Sequence, residues 1–254
     1  MELSKQKEIE LHKEIAKDYL VRYGPDFAQF YQHYWNSQLL KNLPLESNLS
    51  VLDCGCGTGI LLKDLIQRYK RVVGLDISPE MMALIEPAIR EKSELVIGDA
   101  ENLPFPENYF DIVISRGTLH HLPQPAKALQ DIYRILRPTG FFVLTEPSDD
   151  SWLLRWPRWW SHRLSRKFSS THRAFLSQEL EDLLKEAGFI IEQKQYFGYL
   201  AFPFCGLPDH LPCLKYLPQP VALTKLLIKL DELFSCLPLI KKQAWHIIII
   251  AKKS

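Results

Sequence analysis

Val51-Leu52-Asp53-Cys54-Gly55-Cys56-Gly57-Thr58-Gly59 carries the densest chemical signal in the chain. A short apolar run leads into a carboxylate and then into glycines at every second position. Glycines let a backbone turn sharply and approach a ligand closely. The spacing is not that of a diphosphate cradle, which is G-x-G-x-x-G with the pyrophosphate on a helix N-terminus. Here Asp53 stands directly before G-x-G-x-G, and its charge repels a diphosphate but attracts an ammonium or sulfonium group. No Gly-Lys-Ser/Thr follows, which excludes a P-loop. Cys54 and Cys56 form C-x-C without a second pair, so they read as small buried side chains; no metal is expected.

Two more acids end short apolar runs, Asp76 after Arg71–Leu75 and Asp99 after Glu94–Gly98. Beyond a fourth run ending in Ser115-Arg116 come His120 and His121, whose imidazoles titrate near neutral pH and suit proton removal. Adjacent side chains on a helix diverge by about 100°, so one histidine, His120 by preference, is expected to face a site. Tyr19 and Tyr23 carry hydroxyls able to orient a donor or an acceptor. Each residue also has a plain structural alternative. The acids can cap helices or turns, the histidines can merely shape a pocket, and a Tyr more often packs a core or a lid.

The elements that must position these groups follow from the pattern around them. Strands are expected at Ser50–Asp53, Arg71–Asp76, Glu94–Gly98, Asp111–Ser115, Phe141–Glu146, Ile190–Gln195 and Trp245–Ala251. Helices are expected over Gly59–Tyr69, Pro79–Glu91, Pro125–Leu136 and Ser177–Ala187, the last ending on Gly188. A turn at Arg137-Pro138-Thr139-Gly140 leads into the fifth strand. Alternating strands and helices predict a mostly parallel sheet covered on both faces. The fold class is thus α/β: a Rossmann-like seven-stranded mostly parallel sheet, with an N-terminal helical cap and helical lid insertions. One domain spans 1–254, with the cap at 1–48, a donor-binding core at 49–146 and a Trp/Arg-rich segment at 147–176. The rest of the core is 177–197 and 243–254, and an apolar helical insertion occupies 198–242.

The ordered motifs resemble the class I S-adenosylmethionine-dependent methyltransferases, in particular the subgroup of the ubiquinone and menaquinone pathways. The resemblance is strong over 49–146 and moderate over 175–195. It implies that Asp53, Gly55, Cys56 and Gly57 form the donor loop and that Asp76 holds both ribose hydroxyls, with Ile77 beside it. Within Asp76-Ile77-Ser78-Pro79-Glu80-Met81 it places Met81 near the adenine. In Gly98-Asp99-Ala100-Glu101, Asp99 accepts from the adenine amino group and the Ala100 N–H reaches a ring nitrogen. Phe110–Ser115 followed by Leu119-His120-His121-Leu122 matches the fourth-strand motif, which adds Ser115 and Arg116 to the donor site. Thr139 stands where the family's turn usually has a glycine. The cofactor implied is S-adenosyl-L-methionine, with S-adenosyl-L-homocysteine as product; the catalytic candidates are His120, His121 and Tyr19. A donor-binding protein without catalysis is the alternative reading.

Two segments bear on the acceptor. Residues 152–168 hold four of the six tryptophans and five Arg or Lys with no acid, chemistry that suits a lid or a membrane interface. The 198–242 insertion contains a helix expected over Val221–Leu237, with Leu223, Leu226, Leu227, Leu230, Leu233 and Phe234 on one apolar face. Long apolar excursions of this kind suggest a small lipophilic acceptor, methylated on O or C. Helices that extend the core, or meet a second copy in a homodimer, stand as the alternative. A net charge of +1 and Ser115-Arg116-Gly117 in place of an Asn/Asp-Pro-Pro-Tyr-type motif argue against nucleic acid. Five cysteines without a disulfide pattern, no apolar signal core and no membrane-length run lead to an expected cytoplasmic location, with peripheral membrane contact open through 152–168.

Overall fold

The computed structural model describes residues 21–154, 173–208 and 212–254, together with positions 5, 6, 9, 10, 13, 16 and 19. The described positions of the N-terminal segment are helical up to Tyr23. Helix α1 spans Asp26–Leu40. The core then alternates β1 (Ser50–Cys54), α2 (Leu62–Arg68), β2 (Arg71–Asp76), α3 (Pro79–Ala83), α4 (Pro87–Arg90), β3 (Glu94–Ile97), β4 (Phe110–Arg116), α5 (Pro125–Ile135) and β5 (Leu136–Pro147). It continues with α6 (Ser177–Glu186), β6 (Phe189–Phe197), α7 (Pro220–Cys236) and β7 (His246–Lys253).

The strands form one sheet in the order β3-β2-β1-β4-β5-β7-β6. β1 to β5 pair in parallel, while β7 runs antiparallel to both β5 and β6. The result is the seven-stranded, mostly parallel α/β sheet expected. Alternation along the strands explains why both faces are covered. Val51, Ile112, Ile114, Val143, Ile248 and Ile250 pack toward α1 and α2, whereas Leu52, Val113, Phe142, Leu144, Ile247 and Ile249 pack toward α5 and α6. Strands buried twice over read as unbroken Val/Ile runs, as Ile247–Ile250 does.

Several expected boundaries differ. The helix over Pro79–Glu91 is two short helices, because the residue before a proline avoids the α region; Glu86, ahead of Pro87, is extended at φ −54° and ψ 139°. The turn expected at 137–140 is a bent extension of β5. Leu136 already pairs with Phe110, and the chain bends at Thr139 (φ 64°), with a register shift opposite Phe110–Ile112. α6 ends as expected, with Gly188 at φ 99°. The larger correction concerns α7, which buries Thr224, Ile228 and Asp231 and leaves Leu226 and Leu233 54% and 57% exposed. Its orientation is set by a polar anchor that outweighs the leucine periodicity. The Asp231 carboxylate accepts from the backbone N–H groups of Tyr199, Leu200 and Ala201, leaving part of the expected apolar face outside. The Trp/Arg-rich stretch from 155 onward lies outside the described residues.

Candidate active site

The expected site residues cluster at the carboxyl ends of adjacent strands: Asp53 on β1, Asp76 on β2, Asp99 just past β3, and Ser115 and Arg116 on β4. This end of a doubly wound sheet, where strand order reverses between β1 and β4, is where such folds bind ligands. The glycine turn is held there by its own backbone. Gly55 and Cys56 N–H both donate to the Leu75 carbonyl (2.8 and 2.9 Å), and Gly57 N–H donates to Asp76 Oδ2 at 2.7 Å. Gly55 at φ 85° tolerates no side chain, since a Cβ would fall 2.1 Å from Thr118 Oγ1. Thr118 in turn donates to the Cys54 carbonyl, locking the β4 loop onto the glycine turn. Burial pushes the Cys54 and Cys56 thiols up, so both stay protonated in a reducing milieu.

Asp53 is the anomaly of the site. Its side chain is buried, with 1% exposure, yet neither carboxylate oxygen has a hydrogen-bond partner among the described residues. Burial raises its pKa to about 7, opposed by the Arg116 charge and reinforced by Asp76. A buried carboxylate without donors is strongly unfavourable, and a cationic ligand with N–H donors would relieve it. Asp76 lies one strand away and also accepts from Ser78 N–H at 2.9 Å. Met81 is buried, and its Cε lies 3.8 Å from where a Cβ on Gly57 would stand, so it forms the floor beside the loop. Ile77 is half-buried and Ala100 buried in the neighbouring core. These groups fit S-adenosylmethionine: Asp53 for its amino group, Asp76 for the ribose, Met81 and Ala100 along the adenine.

Asp99 is engaged differently. The Lys5 ammonium from the N-terminal segment bridges Asp99 Oδ2 and Glu101 Oε2, both at 2.5 Å. Burial opposes that charge, but the two carboxylates outweigh it and hold the Lys5 pKa above its ordinary value. The cap is thus latched across the acid assigned to adenine. Tyr19, on the same segment, packs edge-on against Tyr23 at 5.4 Å, with the Arg22 guanidinium 5.3 Å from its ring. Burial pushes the Tyr19 phenol well up, so it stays protonated.

The histidines sit on a 3-10 turn, Leu119–His121. Their rings do not diverge as expected; the centroids lie 4.0 Å apart. Glu146, fully buried at the end of β5, holds the first of them. Its Oε1 accepts from Thr118 and Leu119 N–H (3.1 and 2.8 Å). Oε2 accepts from His120 N–H at 3.3 Å and lies 2.6 Å from His120 Nδ1. One carboxylate therefore caps the turn and aims the imidazole. With the proton on Nδ1, Nε2 is the basic nitrogen. Burial raises the Glu146 pKa to about 7, against the three backbone N–H groups and the His121 charge. The sequence reading missed Glu146, although an acid closing an otherwise apolar strand, Phe141–Thr145, was its signal. Gln32 and Trp35 of α1, which meet Arg116, had no signal at all.

A glycine turn flanked by acids, on a seven-stranded sheet whose last strand runs antiparallel, is the architecture of the Rossmann-like methyltransferases. Relatives agree. The family model described as Methyltransferase domain matches residues 52–144. A demethylmenaquinone methyltransferase of Lactiplantibacillus plantarum is 32% identical over 191 residues, covering 65% of this chain and 81% of its own. The chloroplastic 2-methyl-6-phytyl-1,4-hydroquinone methyltransferase of Arabidopsis thaliana is 33% identical over 157 residues, 59% of this chain and 43% of that one. Among solved structures, an S-adenosylmethionine-dependent methyltransferase of Thermotoga maritima, described as a possible histamine N-methyltransferase, superimposes with a TM-score of 0.65. At 21% identity, over 96% of this chain and 99% of that one, it shows the shared fold. The chain belongs to the class I S-adenosylmethionine-dependent methyltransferases and is an enzyme of that family.

Proposed function

We propose that the enzyme methylates a lipophilic hydroquinone-like acceptor, with His120 as general base and Glu146 as the group that positions it. The observation that carries this reading is the buried His120–Glu146 pair, whose loop is locked through Thr118 to the glycine turn beside Asp53. When bound, S-adenosylmethionine supplies a methyl group already activated by its sulfonium leaving group. The protein's task is then to align an acceptor, which can supply roughly 7–11 kcal/mol, to exclude water and to take up a hydroxyl proton at His120 Nε2. The choice of acceptor is supported by the names of the two relatives and by the aromatic lining described below. Incubated with S-adenosylmethionine and an isoprenyl naphthohydroquinone, the protein is expected to release S-adenosylhomocysteine in step with acceptor loss, and far more slowly with polar amines. Tight binding of S-adenosylhomocysteine without turnover on any quinol would favour the non-catalytic alternative.

A quinol with a lipid tail lives in a bilayer, and one surface suits that source. Among the described residues no helix is long and apolar enough to cross a membrane. Leu226, Leu233 and Leu237 instead form an exposed row on the outer side of α7, and Leu239 is 91% exposed. Exposed Trp152 and Leu153 lie beside the segment that follows Leu239, since Ser151 Oγ and Leu153 N–H both donate to Gln243 Oε1. Exposed Lys225, Lys229, Lys241 and Lys242 flank the row. Apolar side chains ringed by lysines complement an anionic lipid surface, each lysine contributing about 1 kcal/mol near the headgroups. Co-sedimentation with phosphatidylserine vesicles is expected at low salt and is lost in Leu233→Asp/Leu239→Asp. Equal sedimentation of that double variant would remove α7 from membrane contact.

A further inference from the structure

Arg116 closes β4, the strand next to the β1 strand of Asp53, and its charge reaches that carboxylate; on its other side the sheet continues to β5, β7 and β6. Its guanidinium forms no ion pair with a carboxylate among the described residues. It donates instead from Nη2 to Gln32 Oε1 and lies 4.4 Å from the Trp35 ring. A half-buried arginine held by an amide and an aromatic face keeps most of its five N–H donors for another partner. Around it stand two more buried donors, Gln32 Nε2 and Trp35 Nε1, which have no partner among the described residues. The Gln32 amide cannot simply be turned over, because its oxygen is the atom that faces Arg116. Thr145, paired with Arg116 across β4 and β5, adds an unpartnered buried hydroxyl on the same face.

The walls of this niche are flat and apolar. Trp35 lies 5.4 Å from Phe197, 5.6 Å from Phe202 and 4.6 Å from His246 between ring centroids. The N–H donors outnumber the acceptors here, and with the guanidinium charge they favour an oxygen that carries negative charge. These rings already pack against one another, so a ligand would lie against the cluster, a contact that suits an aromatic ring.

We propose that Arg116, Gln32 and Trp35 form an oxyanion subsite for the acceptor, one that binds the ionised hydroxyl of a hydroxyaromatic ring. The subsite rests on the methyltransferase reading and goes beyond it, because it names the acceptor's charged atom and the residues that hold it. It also reassigns Arg116, which the sequence motif placed with the donor. A cation there opposes the donor's sulfonium and ammonium charges; the competing ligand is the donor's own carboxylate. Proton and charge balance on binding: the hydroxyl proton passes to His120 or to water, and the oxygen it leaves is paired by the guanidinium.

The test uses 4-nitrophenol, whose phenolate absorbs at longer wavelength than the phenol, titrated into protein saturated with S-adenosylhomocysteine. The wild type is expected to bind the probe and lower its apparent pKa by about 1–3 units, as an opposite charge in contact does. Arg116→Met should abolish that shift, and Arg116→Lys should retain part of it, which separates lost charge from a lost fold. Gln32→Leu should weaken probe binding by roughly 3–10-fold. Neutral 4-nitroaniline should bind the wild type no better than Arg116→Met. The proposal is overturned if the wild type does not take up the probe or if the shift survives in Arg116→Met. A tenfold loss of S-adenosylhomocysteine affinity in Arg116→Met, with the probe unaffected, would return Arg116 to the donor carboxylate. A wild type that fails to bind S-adenosylhomocysteine would instead sink the donor-site reading, a separate failure.

Discussion

Replacing His120 by alanine is expected to lower kcat by two to four orders of magnitude, roughly the contribution of a positioned general base. The dissociation constant for S-adenosylhomocysteine should stay within about twofold of wild type. The split follows from the geometry: His120 belongs to the turn after β4, whereas the donor groups lie on β1 to β3. Glu146→Gln tests the positioning role separately. The amide keeps an acceptor for the backbone N–H groups of Thr118 and Leu119 but turns an N–H toward His120 Nδ1, which forces the proton to Nε2. The variant is therefore expected to lose rate most at neutral pH and to recover part of it at higher pH, where the acceptor hydroxyl ionises by itself. A purely structural Glu146 would instead lower the melting temperature and leave the shape of the pH–rate profile unchanged. Turnover at wild-type level in His120→Ala would remove His120 from the chemistry.

Asp53→Asn is expected to weaken binding of S-adenosylhomocysteine by roughly 10–150-fold, the range for a hydrogen bond to a charged group. In the absence of ligand the same change should stabilise the fold. The pKa of Asp53 is raised from 3.8 to about 7 by burial. Between those values the unfolded chain is ionised while the folded one holds a proton, so this group makes stability fall as pH rises. At pH 8 the full penalty applies, as much as about 4 kcal/mol for a shift of this size, and asparagine removes it. Below pH 4 the variant should show no advantage. Affinity for a cationic ligand should rise with pH up to about 7, by as much as tenfold per unit, and then level off; in Asp53→Asn that dependence should vanish. Calorimetry and thermal melts at pH 5, 6, 7 and 8 read both effects. A variant that binds as tightly as wild type would show that the unpartnered carboxylate is not the donor's anchor.

These two experiments differ in how far their residues were legible beforehand. Asp53 is adjacent in sequence to the glycines that make its role readable, and Asp76 and Asp99 each close a strand whose β-branched run announces it. That Asp53 lacks hydrogen-bond partners among the described residues was not legible, because hydrogen bonding depends on what the rest of the chain brings near. His120 was visible as a titratable group after a strand. Glu146, 26 residues further on, became its partner only through the parallel pairing of β4 with β5. Helix α7 shows a partial failure, in which a clear leucine periodicity placed Leu223, Leu227 and Phe234 correctly against the core but not Leu226 and Leu233, which lie outside. Periodicity records which residues are apolar, while the tie of Asp231 to the Tyr199–Ala201 backbone decided which way they turn.

Local order thus came from the amino-acid sequence alone: where strands and helices run, where the chain bends at Gly55 and Gly57, and which acids stand at the donor end of the sheet. Each of these rests on interactions between residues close along the chain, on backbone preference and on the alternation of apolar side chains. The partnerships were decided by the tertiary structure. Asp53 buried without a donor, Glu146 aiming His120, and Arg116 held between Gln32 and Trp35 all join residues far apart in sequence. Their energies depend on burial and on distances of a few ångströms, and packing the helices onto the sheet sets both.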